Sequence, residues 1–153
     1  MVDPIYRALA QRLDAIPNGF PATESGVEFR LLARLFTPQE AALASAMRLT
    51  PEGSAEIGAR VGLAPAEAHR ALKEMVRKGL IDVRREGREL RFGLLPFAIG
   101  FYEAQGSRLD AELAALVEQY FQETKGKTIS DATPPLHRVI PVGEAVSANL
   151  DIL

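Results

Sequence analysis

Few residues in this chain are of the types that do covalent or metal chemistry. There are two histidines, His69 and His137, and no cysteine. Without cysteine the chain holds no disulfide, no thiolate-bound zinc and no cysteine-ligated iron–sulfur cluster. Neither histidine has a second histidine four residues away, and no pair of carboxylates sits beside either at helical spacing. No Gly-x-Ser-x-Gly elbow is present, and no glycine-rich phosphate loop follows a strand. The carboxylates are scattered among Lys and Arg, the pattern of solvated helix faces. A nucleophile, a base and an orienting group are not found together, so catalysis by this chain is not expected.

Cations offer more. Residues 60–91 hold nine Lys/Arg against five Asp/Glu, a local +4, so the rest of a chain of net charge −2 carries −6. Seven of these cations fall in two short runs: Arg70, Lys73 and Arg77, then Arg84, Arg85, Arg88 and Arg91. They are the candidate contacts to DNA or to a protein partner. A basic helix face is also the ordinary look of a solvated surface. The acidic remainder and a pI near 5.7 oppose long-range attraction to nucleic acid.

The elements around these residues are readable. Ser54 to Val61 has a helix-capping serine and Glu56 in its first turn. Gly62 stops it, and Pro65 opens a second helix running to Lys78, with Gly79 as its stop. At 100° per residue Ala68, Leu72, Met75 and Val76 share one face of that helix, while Arg70, Lys73 and Arg77 share the opposite one. A hairpin follows over Leu80 to Leu94. Its one turn signal is Glu86-Gly87, and a two-residue loop there pairs Arg85 with Arg88, Val83 with Leu90 and Ile81 with Phe92. Helix, tight turn, helix and hairpin in this order make a winged helix-turn-helix, with a small basic wing.

The flanks read as support. Asp3-Pro4 opens a first helix whose apolar face is Ile5, Leu9, Leu13 and Ile16, stopped by Pro17-Asn18-Gly19. A second helix is expected from Ser25, with Glu28 completing a capping box, and a third from Thr37-Pro38 with Glu40 completing another. After the hairpin, one long helix is expected over 97–124. Tyr102, Gly106, Leu109, Leu113, Leu116 and Tyr120 recur along it at spacings of 4, 3, 4, 3 and 4, a heptad seam on which two copies would pair. A homodimer is the expected assembly. Phe101 and Tyr102 read as core aromatics more readily than as a ligand pocket. Pro134-Pro135 and Pro141 forbid helix, so 126–153 reads as an extended linker or strap after a domain of residues 1–125. No run reaches the ~18 apolar residues of a membrane span, and Met1-Val2-Asp3-Pro4 does not begin a signal peptide, so a cytoplasmic location is expected.

Several strings carry a family likeness. They are Ile16-Pro17-Asn18-Gly19-Phe20-Pro21, Thr23-Glu24-Ser25-Gly26-Val27-Glu28, Leu35-Phe36-Thr37-Pro38, Pro96-Phe97, Gly100-Phe101-Tyr102-Glu103, Arg108-Leu109-Asp110 and Arg138-Val139-Ile140-Pro141-Val142. With them the chain resembles the N-terminal region of bacterial ferredoxin-like iron–sulfur proteins, where a helical, winged-helix-like segment precedes four-iron four-sulfur binding motifs. The resemblance implies an electron-transfer parent protein. The family's cluster-binding cysteines would lie beyond Val142, and no residue here matches one, so no cofactor is expected within this chain; a 4Fe-4S cluster is expected only if the native protein continues past Leu153. The first functional expectation is therefore a non-enzymatic interaction or regulatory domain with a redox or iron–sulfur partner. The alternative is a dimeric DNA-binding regulator of the MarR type.

Overall fold

The computed structural model describes residues 1–131. It is mainly helical with one two-stranded antiparallel sheet. The helices are α1 (Pro4–Asp14), α2 (Val27–Leu35), α3 (Pro38–Ala46), α4 (Ser54–Arg60) and α5 (Pro65–Arg77), then α6 (Ala111–Thr124) and a single turn α7 (Lys127–Ser130). The strands β1 (Ile81–Glu86) and β2 (Glu89–Leu94) lie between α5 and α6.

Side-chain caps mark three of the seven described helix starts, those of α1, α3 and α6. The cap expected from Ser54 is not formed, because Gly53 holds that position and Ser54 is the first residue of α4. The Asp3 carboxylate accepts from the Ile5 amide at 3.0 Å, and Pro4 fills a first-turn position whose amide needs no partner. Thr37 and Glu40 form the expected reciprocal box, with Glu40 N donating to Thr37 Oγ1 at 3.2 Å and Thr37 N to Glu40 Oε2 at 2.9 Å. The box expected from Ser25 and Glu28 is not formed. Gly26, at φ +69°, stands immediately before α2, and the buried Glu28 carboxylate instead accepts from the amide and hydroxyl of Thr23. The positive φ at Gly26 turns the chain so that Glu28 faces back onto the incoming loop rather than onto the Ser25 amide.

One apolar core runs through the described residues. Leu9 and Leu13 of α1, Val27, Leu31 and Leu32 of α2, Leu43 of α3, and Leu72 and Met75 of α5 are fully buried or nearly so. Phe97 is the hub of its aromatic part. Its ring lies 5.6 Å from Phe20, 5.4 Å from Phe101 and 5.2 Å from Tyr120, mostly in edge or tilted geometry. Tyr120 stacks on Phe20 at 4.9 Å and donates its hydroxyl to Pro21 O at 3.2 Å. Burial raises the Tyr120 phenol well above its ordinary range, so it stays a neutral donor.

The long helix expected over 97–124 is replaced by three pieces. Phe97–Phe101 and Glu103–Arg108 are irregular turns, with Ala98, Ile99, Gly100 and Gly106 outside helical backbone conformations. Helix begins again only at α6, where Asp110 caps the Leu113 amide at 2.8 Å. Gly100 and Gly106 break a spacing that continues across them, and the Asp110 cap starts a separate helix. The six-residue seam therefore does not exist as one stripe. Tyr102 and Gly106 precede α6, Leu109 is exposed in extended backbone, and Leu113 and Tyr120 are buried in the chain's own core with Leu116 packed against it.

Residues 126–131 also depart from the extended strap expected there. Lys125 and Gly126 both take positive φ, and α7 then brings Thr128 into full burial beside the Phe97–Phe101 segment. The remainder of that strap, including His137 and the string from Arg138 to Val142, lies outside the described residues.

Candidate functional site

The basic residues of interest stand on α5 and on the hairpin. α5 buries Ala68, Leu72 and Met75 completely, with Val76 half-buried beside them. The opposite face is left in solvent. Arg70, Lys73 and Arg77 are all exposed on it, so the helical wheel read from sequence places both faces correctly. α4 crosses α5 closely at Gly58, where an added Cβ would come within 2.4 Å of Ala68 Cβ. Glycine suits this position because any side chain would press on the Ala68 methyl and force the two helices apart.

The hairpin pairs differently from the sequence expectation. Glu86 opposes Glu89, Arg85 opposes Leu90 and Val83 opposes Phe92, so the loop is Gly87-Arg88 rather than Glu86-Gly87. Gly87 has φ +61° and no other hairpin residue has positive φ. That is the requirement of a type II′ turn, with glycine first, whereas a loop of Glu86-Gly87 would place it second. The shift moves each partner by two positions, so the inward-facing set is unchanged and Arg85 and Arg88 remain exposed near the tip.

A feature invisible to sequence patterning braces the base of the hairpin. Glu52 pairs with Phe92 as an isolated bridge, with Glu52 N donating to Phe92 O at 3.0 Å and Phe92 N to Glu52 O at 2.7 Å. The Glu52 side chain is buried and binds the Arg60 guanidinium and the Arg48 amide. The hydrogen bond from Arg60 holds the Glu52 carboxyl below its usual range.

The seven candidate cations divide into two groups. Arg77 pairs with Glu74 at 2.7 Å, Arg84 with Asp82 at 3.2 Å, and Arg91 with Glu86 and Glu89 at 3.3 and 3.4 Å. Arg70, Lys73, Arg85 and Arg88 form no ion pair among the described residues. Two open hollows lie beside this second group. One, of about 770 Å³, follows α5 and is lined by Gln39, Leu63, Ala71, Arg70 and Lys73 among others. The other, of about 590 Å³, lies between the start of α4 and the hairpin and includes Ser54, Arg85, Arg88 and Leu90. His69 lines both hollows. Its ring stands edge-on to Phe92 with centroids 6.0 Å apart, and its Nδ1 is 3.3 Å from Ser54 Oγ. The ring is thus fixed as the ridge between them.

Carboxylates are interspersed throughout. Glu67 and Glu74 line the first hollow, and Glu56 and Glu89 the second. Among the described residues no three His, Asp or Glu side chains converge as metal ligands. No described helix is long and apolar enough to cross a membrane. No known family model matches this chain, and no curated protein matches it significantly.

Proposed function

We propose that this chain is a winged helix-turn-helix interaction module, non-enzymatic, and the N-terminal part of a ferredoxin-like electron-transfer protein. The order α3, Glu52 bridge, α4, α5, β1, β2 supports the winged-helix reading, because the bridge gives the hairpin a third, minimal strand beside β2. The observation that carries the interaction role is the neutralisation of the basic face. Three of its seven cations are ion-paired, and two further carboxylates, Glu67 and Glu56, share the hollows with the rest. A DNA backbone carries a negative charge every ~1.7 Å of its axis and would meet those carboxylates. A protein partner can place neutral or cationic groups opposite them.

The electron-transfer parent rests on the family resemblance. Its strings contribute Phe20, Phe36, Phe97, Phe101 and Tyr102, which meet in the aromatic core or pack against it. These strings therefore support a shared scaffold more than a shared site.

Two measurements test the proposal. Selection of duplexes from a random pool at ~150 mM salt is expected to enrich no sequence. Tight, selective binding would overturn the interaction role. The native gene product is expected to carry iron and to exceed 16.6 kDa; an iron-free product of that mass would remove the electron-transfer parent.

A second reading has its own observation. Arg70 and Lys73 are exposed and without ion pairs on α5, as a major-groove helix needs. In a MarR-type regulator they would contact DNA, and the two-fold contact would lie elsewhere than the 102–120 spacing. Arg70→Ala with Lys73→Ala would then abolish selective binding and flatten its salt dependence.

A further inference from the structure

The two hollows on either side of His69 have the same construction. Each combines half-buried apolar residues, Leu63 and Ala71 in one and Leu90 in the other, with exposed cations that have no ion pair among the described residues. His69 belongs to both, so the two adjoin at one half-buried ring.

We propose that the two hollows form one docking surface for an extended, acidic and partly apolar segment of a partner protein. Its carboxylates would pair with Arg70 and Lys73 on the α5 side and with Arg85 and Arg88 on the hairpin side. Its apolar side chains would cover Leu63, Ala71 and Leu90. The inference rests on the interaction-module reading and deepens it by naming the partner's chemistry.

Three observations favour a peptide over a phosphate polymer. Each lining holds three cations, and in each one of the three is already ion-paired, Arg77 to Glu74 and Arg91 to Glu86 and Glu89, which leaves two per hollow for a ligand. Glu67 and Glu56, which form no ion pair among the described residues, stand within the same linings, and a chain that chooses its side chain at each position can avoid them whereas a phosphodiester cannot. Apolar surface between the charges gives a protein segment something to bury and gives a phosphate backbone nothing.

The surface is tested with a fluorescein-labelled peptide of mixed Glu, Asp and Leu, titrated with the full chain and followed by anisotropy. Binding is expected, and it weakens as salt rises. Arg70→Glu with Arg85→Glu, one cation from each hollow, is expected to weaken it by about tenfold or more. Both side chains are solvent-exposed, and an unchanged far-UV spectrum will show that the variant is folded. Glu67→Gln is expected to tighten binding by about twofold, a gain that misfolding cannot imitate. No binding by the intact chain, or an unchanged affinity in the double variant, overturns the inference and leaves the interaction module standing. A duplex DNA that binds selectively and is released by the same double variant overturns both.

Discussion

Gly58→Ala provides a sharp test of the α4–α5 crossing. On helix propensity alone the substitution is favourable by about 1 kcal/mol, because glycine is a poor interior helix residue. Packing opposes it. The new Cβ would lie 2.4 Å from Ala68 Cβ and 3.3 Å from Leu63 O, and neither atom is the free end of a flexible side chain. The two helices must move apart by about 1 Å, and overpacking of this kind costs about 1–3 kcal/mol. The net expectation is a loss of up to about 2 kcal/mol. Ala68→Gly alone loses about 1 kcal/mol of helix propensity and a further ~0.8 kcal/mol of buried methyl. Together the two changes move one methyl across the same gap. The double variant is therefore expected within about 1 kcal/mol of the parent, with a favourable coupling inside the ~0.5–3 kcal/mol range of contacting residues. Urea unfolding followed by circular dichroism measures all three. If Gly58→Ala is stabilising, or if the two effects simply add, the close crossing is wrong and with it the placement of α5.

Other expectations follow from single features. Phe97→Ala removes the hub of the aromatic cluster and is expected to cost about 3–5 kcal/mol in urea unfolding, with Phe97→Leu costing clearly less. Thr37→Ala breaks the one complete capping box described here and should lower stability by about 1 kcal/mol in the same assay. Glu52 has a depressed carboxyl pKa in the folded state, so its contribution is present above its unfolded value of 4.5 and is lost as pH falls through the lower folded value. Glu52→Gln should therefore reduce the acid-side fall in thermal midpoint; Asp110 and Glu123, also depressed, keep part of the slope. An unchanged acid profile in Glu52→Gln would refute the buried link to Arg60.

What the sequence made legible was local. Asp3-Pro4 and Thr37-Pro38 with Glu40 announce helix starts because the cap, its acceptor and the following turn lie within four residues. The two faces of α5 were legible for the same reason. Register and interruption were harder. The inward-facing residues of the hairpin are unchanged by a two-residue shift, so apolar alternation could not choose between loops; the positive φ of Gly87 decides it. Spacing of apolar residues continued over Gly100, Gly106 and Asp110, yet the two glycines leave helical backbone and Asp110 starts a new helix. The Glu52 bridge is a single pair of residues with no pattern to detect. Of the basic residues, identity and exposure were legible, while the division into paired and unpaired cations depends on side-chain placement. The hollows beside His69 required the structure, although the half-apolar, half-basic composition around that residue was the available signal.

The stack of Phe20 on Tyr120 has a bearing on how the chain is made. These residues are a hundred positions apart, and Ser25 likewise bonds Glu123 across the α2–α6 contact. A ribosome adds residues at ~5–20 per second, so α1 and α2 emerge roughly 5–20 s before α6 exists to cover them. During that interval the apolar side of Phe20 and the faces of α2 meant for α6 are open to water. The hairpin and α4–α5 pair, built from neighbours in sequence, need no such wait. Synthesis thus presents a finished α4–α5 pair and hairpin on a body whose α1 and α2 still lack their cover, and the late-emerging α6 is the helix that closes the core.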